Sequence, residues 1–254
     1  MTRIIVYQQT YFHGEEQEYV SMLPLIEENT AVTHVILAAI HLNDSPLNIT
    51  LNDDYWRDPK NDFIWAEAAV LQSSDIKVMG MLGGAAKGSY LKLDGDLTSF
   101  LAYYEPLREM IQSTSLDGLD LDVEEDMSLA GIVRLIDQLR QDFGTSFIIT
   151  LAPVATALQG GKHLSGFDYG ELEKAMGRHI NWYNTQFYCG WGDVATTAGY
   201  DLIMRRGWPA DKVVLGVTTN PEACAGWVPD DMLENTIDAL LVKYPKFGGV
   251  MGWE

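Results

Sequence analysis

The sequence predicts a single-domain (β/α)8 barrel over residues 1–254, on three observations. Short β-branched runs recur along the chain, helix-patterned stretches separate them, and no phosphate-binding glycine loop follows the first run. A doubly wound open sheet would need that loop, and Tyr7-Gln8-Gln9-Thr10 offers no glycine for it.

The predicted strands are Ile4 to Gln8, Thr33 to Ile40, Lys77 to Leu82 and Leu116 to Glu124. They continue as Phe147 to Ala152, Ile180 to Tyr188, Lys212 to Val217 and Gly248 to Trp253. Most are apolar on both faces, as parallel strands between a core and covering helices should be. Helix patterning marks Glu18 to Ile26, Asp62 to Leu71, Leu97 to Ile111, Ser128 to Phe143, Tyr169 to Ala175, Thr196 to Arg206 and Asp231 to Tyr244. Ser128 occupies an N-cap position, whereas Pro24 weakens the first of these helices from inside. The eighth strand runs to the last residues, so an eighth helix is missing from this chain. Apolar faces would be left uncovered, which predicts that the natural protein continues beyond Glu254 or that a partner fills the gap.

Composition narrows the function. At 47% hydrophobic and 21% charged residues the chain is an ordinary globular protein. Its 36 acidic and 17 basic residues give a formal charge of −19, a field that repels nucleic acid and anionic membranes. No window reaches the ~20 apolar residues of a membrane span. The start, Met1 to Tyr7, lacks a signal-peptide pattern, which predicts a cytoplasmic protein if Met1 is native and a secreted one if a leader has been removed. Asn43-Asp44-Ser45 and Asn48-Ile49-Thr50 would carry glycans only in the second case. Cys189 and Cys224 form no metal knuckle; they fall on adjacent loops of one barrel end, where a disulfide is open to them and free thiols are expected in an intracellular protein.

The chemistry lies in Asp117-Gly118-Leu119-Asp120-Leu121-Asp122-Val123-Glu124. Residues two apart share a strand face, so Leu119, Leu121 and Val123 point to the helices while Asp120, Asp122 and Glu124 point into the barrel. Three inward carboxylates are no stability device, because unpaired buried charge is strongly unfavourable. Glu124 comes last, at the carboxyl end where barrel enzymes keep their chemistry. The five histidines show no ligand spacing that would make the acids a metal site, and no cofactor is called for. Carboxylates this close retain a proton, which suits Glu124 as a general acid. A nucleophile on the opposite sugar face would need a second carboxylate about 5 Å away, which this strand does not supply. Attack by the substrate's own acetamido oxygen removes that need.

These residues fit the DxxDxDxE signature of glycoside hydrolase family 18, and the whole chain resembles that family, most closely its fungal-type endo-β-N-acetylglucosaminidases. Supporting segments are Val78 to Ala85, Ile149 to Val154, Trp182 to Tyr188 and Gly248 to Glu254. The resemblance implies Glu124 as general acid and then base, Asp122 as orienter of the acetamido group, Asp120 as its tuner and Asp117 as support for the strand end. Tyr188 would bond the acetamido oxygen, with Gln186 beside it, and Trp253 would floor the sugar pocket. Tyr7 and Gly84 are further pocket candidates, Trp191 and Trp227 lie in the loops after the sixth and seventh strands and are open to glycan contact or to packing, and Trp182 is assigned to the barrel core. One departure stands out, because Met81 occupies a position where many members carry serine. The implied activity is hydrolysis of the GlcNAc-β-1,4-GlcNAc core bond of N-glycans by a retaining, substrate-assisted mechanism, with a monomeric enzyme and a glycoprotein substrate. A chitinase using the same chemistry is the alternative, and a lectin without activity is disfavoured by the intact Glu124.

Overall fold

The computed structural model describes residues 2–253 and is a closed barrel of eight parallel strands. Numbering the barrel strands alone, they are β1 (Arg3–Gln8), β2 (His34–Leu42), β3 (Lys77–Gly83), β4 (Gly118–Asp122), β5 (Ile148–Leu151), β6 (Trp182–Gln186), β7 (Val213–Thr218) and β8 (Gly249–Trp253). Each pairs with its sequence neighbours, and β1 closes the ring by pairing β8 through Ile5↔Met251 and β2 through Ile5↔His34. The main covering helices are α1 (Asp62–Ser73), α2 (Leu97–Ser113), α3 (Leu129–Phe143), α4 (Tyr169–Met176), α5 (Ala198–Arg205) and α6 (Asp230–Lys243). Among the described residues no helix follows β8, and Ile4 on the outside of β1 is 40% exposed.

Two separate apolar clusters result from strand alternation. Leu119, Leu121 and Val123 belong to the outer one, packed against the helices. Inside the barrel Ile5, Tyr7, Met79, Met81, Trp182, Val214 and Met251 form the other. The acids of β4 interrupt this inner cluster, since Asp120 and Asp122 share the inward face with none of its apolar members on their own strand. Caps fix the helices locally: Ser128 Oγ accepts from Gly131 N at 3.0 Å and Asp96 Oδ1 from Ser99 N at 2.8 Å.

Three expectations are corrected. The stretch Glu18 to Ile26 is not a helix; Phe12–His13 and Glu18–Tyr19 pair as an antiparallel ribbon, and only Pro24–Glu27 is helical. Pro24 has no N–H to give, so it fits at the first turn and cannot sit inside a longer helix. The fourth strand ends at Asp122, and the sixth at Gln186, so Glu124 and Tyr188 lie just past the ladder. At this end Gly84 N bonds Asp122 O at 2.9 Å, and both Gly83 and Gly84 adopt positive φ (93° and 87°) that turns the chain away. The third is Asp117, at the opposite end of β4 from the acids it accompanies in sequence.

Candidate active site

The upper end of the barrel holds an open pocket of about 390 Å³ walled by Asp122, Glu124, Gln186, Tyr188, Trp191 and Trp253 together with Gln9, His41, Met81 and Gly84. β4 supplies the acids, β6 the amide and tyrosine, and β8 the tryptophan, which is why no single segment could show the arrangement.

Asp120 is fully buried one layer below the pocket and is saturated with donors. Tyr7 Oη donates at 2.7 Å, Thr150 Oγ1 at 2.5 Å and Asn184 Nδ2 at 3.0 Å. Asn184 is itself oriented by Trp182 Nε1 at 2.8 Å. Burial pushes the Asp120 carboxyl up, and the three donors pull it back. Asp122 has no such company. Burial first, then the charges of Glu124 and Asp120, drive its carboxyl well above the ordinary range. Glu124 is raised as well, mainly by burial, against a hydrogen bond from Gln186 and the charge of Lys87.

Gln186 links the two. Its Nε2 donates to Asp122 Oδ1 at 3.2 Å, to Glu124 Oε1 at 3.3 Å and to Ala152 O at 2.9 Å. Two carboxylates that share one neutral donor and no cation hold a proton between them more readily than two isolated ones. Such a pair can deliver a proton at higher pH than an isolated carboxylate. Asp122 and Glu124 are the only carboxylates in the pocket wall among the described residues.

Several assignments meet the structure differently. Tyr7 is 2% exposed and lies under the pocket, where it serves Asp120 and meets Trp253 edge-on at 5.4 Å. Asp117 is not a pocket residue at all. It accepts from Lys77 Nζ, Gln72 Nε2 and Val78 N, each at 2.9 Å, at the lower rim. Five residues of strand separate it from Asp122, a distance of roughly 16 Å. Gly84 does line the pocket; a Cβ there would lie 3.0 Å from Met81 Cε and 3.6 Å from Asp122 Oδ2. Trp182 is buried in the inner cluster beneath the guanidinium of Arg3, and Trp227 is 41% exposed outside the pocket.

Cys189 and Cys224 form a disulfide, in place of the free thiols expected of an intracellular chain. It ties the segment after Tyr188 to the loop after β7, where Cys189 N also bonds Ala225 O at 2.6 Å. Gly226 packs directly on Tyr188, and a Cβ there would come within 2.9 Å of its Cα.

Sequence reasoning missed Glu125, which is buried and accepts from Gly88 N and Tyr90 N, both at 2.8 Å. It thereby anchors the loop that carries Gly84 and Lys87. Gln9 and His41 in the wall carried no sequence signal, whereas Thr150 could have been found by alternation within Ile149-Thr150-Leu151. Among the described residues no group of three His, Cys, Asp or Glu is placed to hold a metal ion, and no helix is long and apolar enough to cross a membrane.

The family model "Glycosyl hydrolases family 18" matches residues 3–254. The structure of chitinase ChiC from Aspergillus fumigatus superposes with a TM-score of 0.98 at 52% identity, covering 100% of this chain and 91% of that one. A fungal endo-β-N-acetylglucosaminidase from the same family superposes with a TM-score of 0.96 at 48% identity, covering 100% and 90%. An endochitinase of Ziziphus mauritiana is 25% identical over 75% of this chain, a match spanning 64% of its own length. Chitinase 2 of Rhizopus oligosporus is 27% identical, with 36% of its length matched, so the chain spans less than two thirds of these curated relatives.

Proposed function

The chain belongs to glycoside hydrolase family 18 and is a glycosidase, and we propose that it is an endo-β-N-acetylglucosaminidase cutting the GlcNAc-β-1,4-GlcNAc core bond of N-glycans. The observation that carries the reading is the sharing of one amide by Asp122 and Glu124, with no other carboxylate in the wall among the described residues. Both acids therefore work from one side of the sugar.

In this reading Glu124 gives its proton to the glycosidic oxygen as the C1–O bond breaks. The acetamido oxygen of the same GlcNAc attacks C1 from the other face and closes an oxazolinium ring. Asp122 holds the acetamido N–H and balances the positive charge that develops on the ring. Asp120 and its three donors set the height and charge of Asp122 from below. Tyr188 bonds the acetamido oxygen, and Trp253 offers its indole face to the apolar face of the pyranose. Glu124, now a carboxylate, then takes a proton from the water that attacks C1, so the configuration is retained. An N-acetylglucosamine hydroxyl in place of water would give transglycosylation. Gln186 keeps both carboxylates on the reacting side in either step. The enzyme acts as a monomer on the glycoprotein.

Hydrolysis of chitin by the same groups is the second reading, favoured by the 52% identity to the Aspergillus chitinase. One assay separates them, in which the protein is incubated with ribonuclease B and with colloidal chitin. Release of the glycan with one GlcNAc left on the protein is the expected result, and activity on chitin alone replaces the first reading by the second.

A further inference from the structure

Trp191 walls the catalytic pocket on one side and a second cavity on the other. This neighbour, about 570 Å³, is open to solvent between the loop after β5, the loop after β6 and α5. Its wall includes Thr156, Gln159, Gly160, Lys162 and Arg206 besides Trp191. The size falls within the roughly 300–1,000 Å³ of small-ligand sites.

The charge of this cavity is opposite to that of the protein. Lys162 and Arg206 line it and, among the described residues, no carboxylate does, in a chain of formal charge −19. Among the described residues neither cation makes an ion pair or a side-chain hydrogen bond. Several cations elsewhere are held in ion pairs, Lys77 with Asp117, Lys212 with Glu173 and Lys243 with Asp201.

The cavity wall is also built. Gly160 has φ of +75°, and a Cβ there would lie 3.0, 3.1 and 3.2 Å from Cζ, Nη1 and Nη2 of Arg206. These nearly equal distances mean that the guanidinium presents its face to the glycine, so its N–H edges stay free for an acceptor. The loop carrying Lys162 is pinned by Thr156 Oγ1 to Lys162 O at 2.7 Å and by Gly161 N to Thr156 O at 2.8 Å. Gln159 Nε2 ties its start to Gly199 O on α5 at 3.2 Å.

We propose that this cavity is a remote subsite for an anionic group, a carboxylate or phosphate monoester, on an outer sugar of the glycan whose reducing end is held at Glu124. Trp191 forms the divider on which an intervening pyranose lies. The inference rests on the N-glycan reading and adds a substrate class to it: acidic glycans are received at one built cation pair, against the repulsion of the rest of the surface.

The test uses the full chain at low salt and three glycopeptides with one common core, bearing a neutral, a sialylated or a phosphomannosyl glycan. Lys162→Ala combined with Arg206→Ala is expected to raise KM about five-fold for the acidic substrate that fits, as the loss of two exposed charge contacts implies. KM for the neutral glycopeptide stays as in the parent. The arm that responds identifies carboxylate or phosphate, and Arg206→Lys with Lys162 retained recovers part of the loss. Equal changes on neutral and acidic substrates, or no change on any, overturn the subsite. If no glycopeptide is cleaved but glycol-chitin is, the N-glycan reading fails by itself. The subsite is then judged by carboxymethyl-chitin against glycol-chitin, and a ratio of KM values unaffected by the double variant overturns it.

Discussion

At the lower end of β4, Asp117 accepts from a lysine, a backbone N–H and an amide; at the upper end, Asp122 shares a single amide with Glu124 and meets no cation. The two aspartates belong to one strand, and the barrel treats them oppositely. Below, Lys77 neutralises the charge and the backbone of β3 uses it, so the carboxylate joins strand to strand. Above, burial raises Asp122 and Glu124, opposed at Glu124 by a hydrogen bond from Gln186 and the charge of Lys87, so both carboxyls hold a proton more tightly than they would in solvent. A carboxylate matched by a cation serves structure, and one left to a neutral donor is available for proton transfer. Between them Asp120 is an intermediate case, buried without a cation yet given three donors.

Substitutions at the two ends should therefore separate activity from stability. Glu124→Gln is expected to lower kcat by about 10²–10⁴-fold, the usual worth of a positioned acid, while glycan binding by calorimetry persists. Unchanged turnover in that variant would sink the role of Glu124. Asp122→Asn should lower kcat by about 10²-fold or more while the variant still transfers sugar from a preformed oxazoline donor to N-acetylglucosamine. Its stability carries a further signature. Because the native pKa of Asp122 lies above the unfolded one, wild-type stability is greatest below the ordinary carboxylate range and falls as pH rises through the native value. The melting temperature of Asp122→Asn relative to wild type should thus climb from pH 4 to pH 8, and a constant difference would contradict the raised carboxyl.

Asp117→Ala inverts the pattern. It should leave kcat intact and cost about 1–3 kcal/mol, chiefly by stranding Val78 N, which for a chain of this size lowers Tm by about 2–4 °C per kcal/mol. A loss of turnover without a loss of stability would place Asp117 in the site after all. The smallest effect is expected at Lys87, whose charge holds Glu124 down. Lys87→Met should move the basic limb of the pH–rate profile to higher pH, since the acid then keeps its proton longer.

Much of this was legible in the chain. The strand–helix recurrence predicts the barrel because a parallel strand buried on both faces must be apolar throughout. Alternation along β4 separates Asp120 and Asp122 from Leu119 and Leu121, since the side-chain period of a strand is fixed by covalent geometry. Motif reading was weakest where one short signature carried residues with two destinations. Asp117 and Asp122 share a motif but not an end of the barrel, and Tyr7 lies beneath the pocket it was expected to line.

The sequence by itself determined the fold class, the strand that bears the acids and the face on which they stand, because these follow from local periodicity. The tertiary structure alone decided how the acids are solvated, through the neutral bridge of Gln186 from β6 and the donors of Tyr7, Thr150 and Asn184 from β1, β5 and β6. It also decided the disulfide between Cys189 and Cys224 and the cation pair of Lys162 and Arg206 beyond Trp191. Charge and solvation depend on distance in space, and closing the barrel brings together residues that the chain keeps far apart.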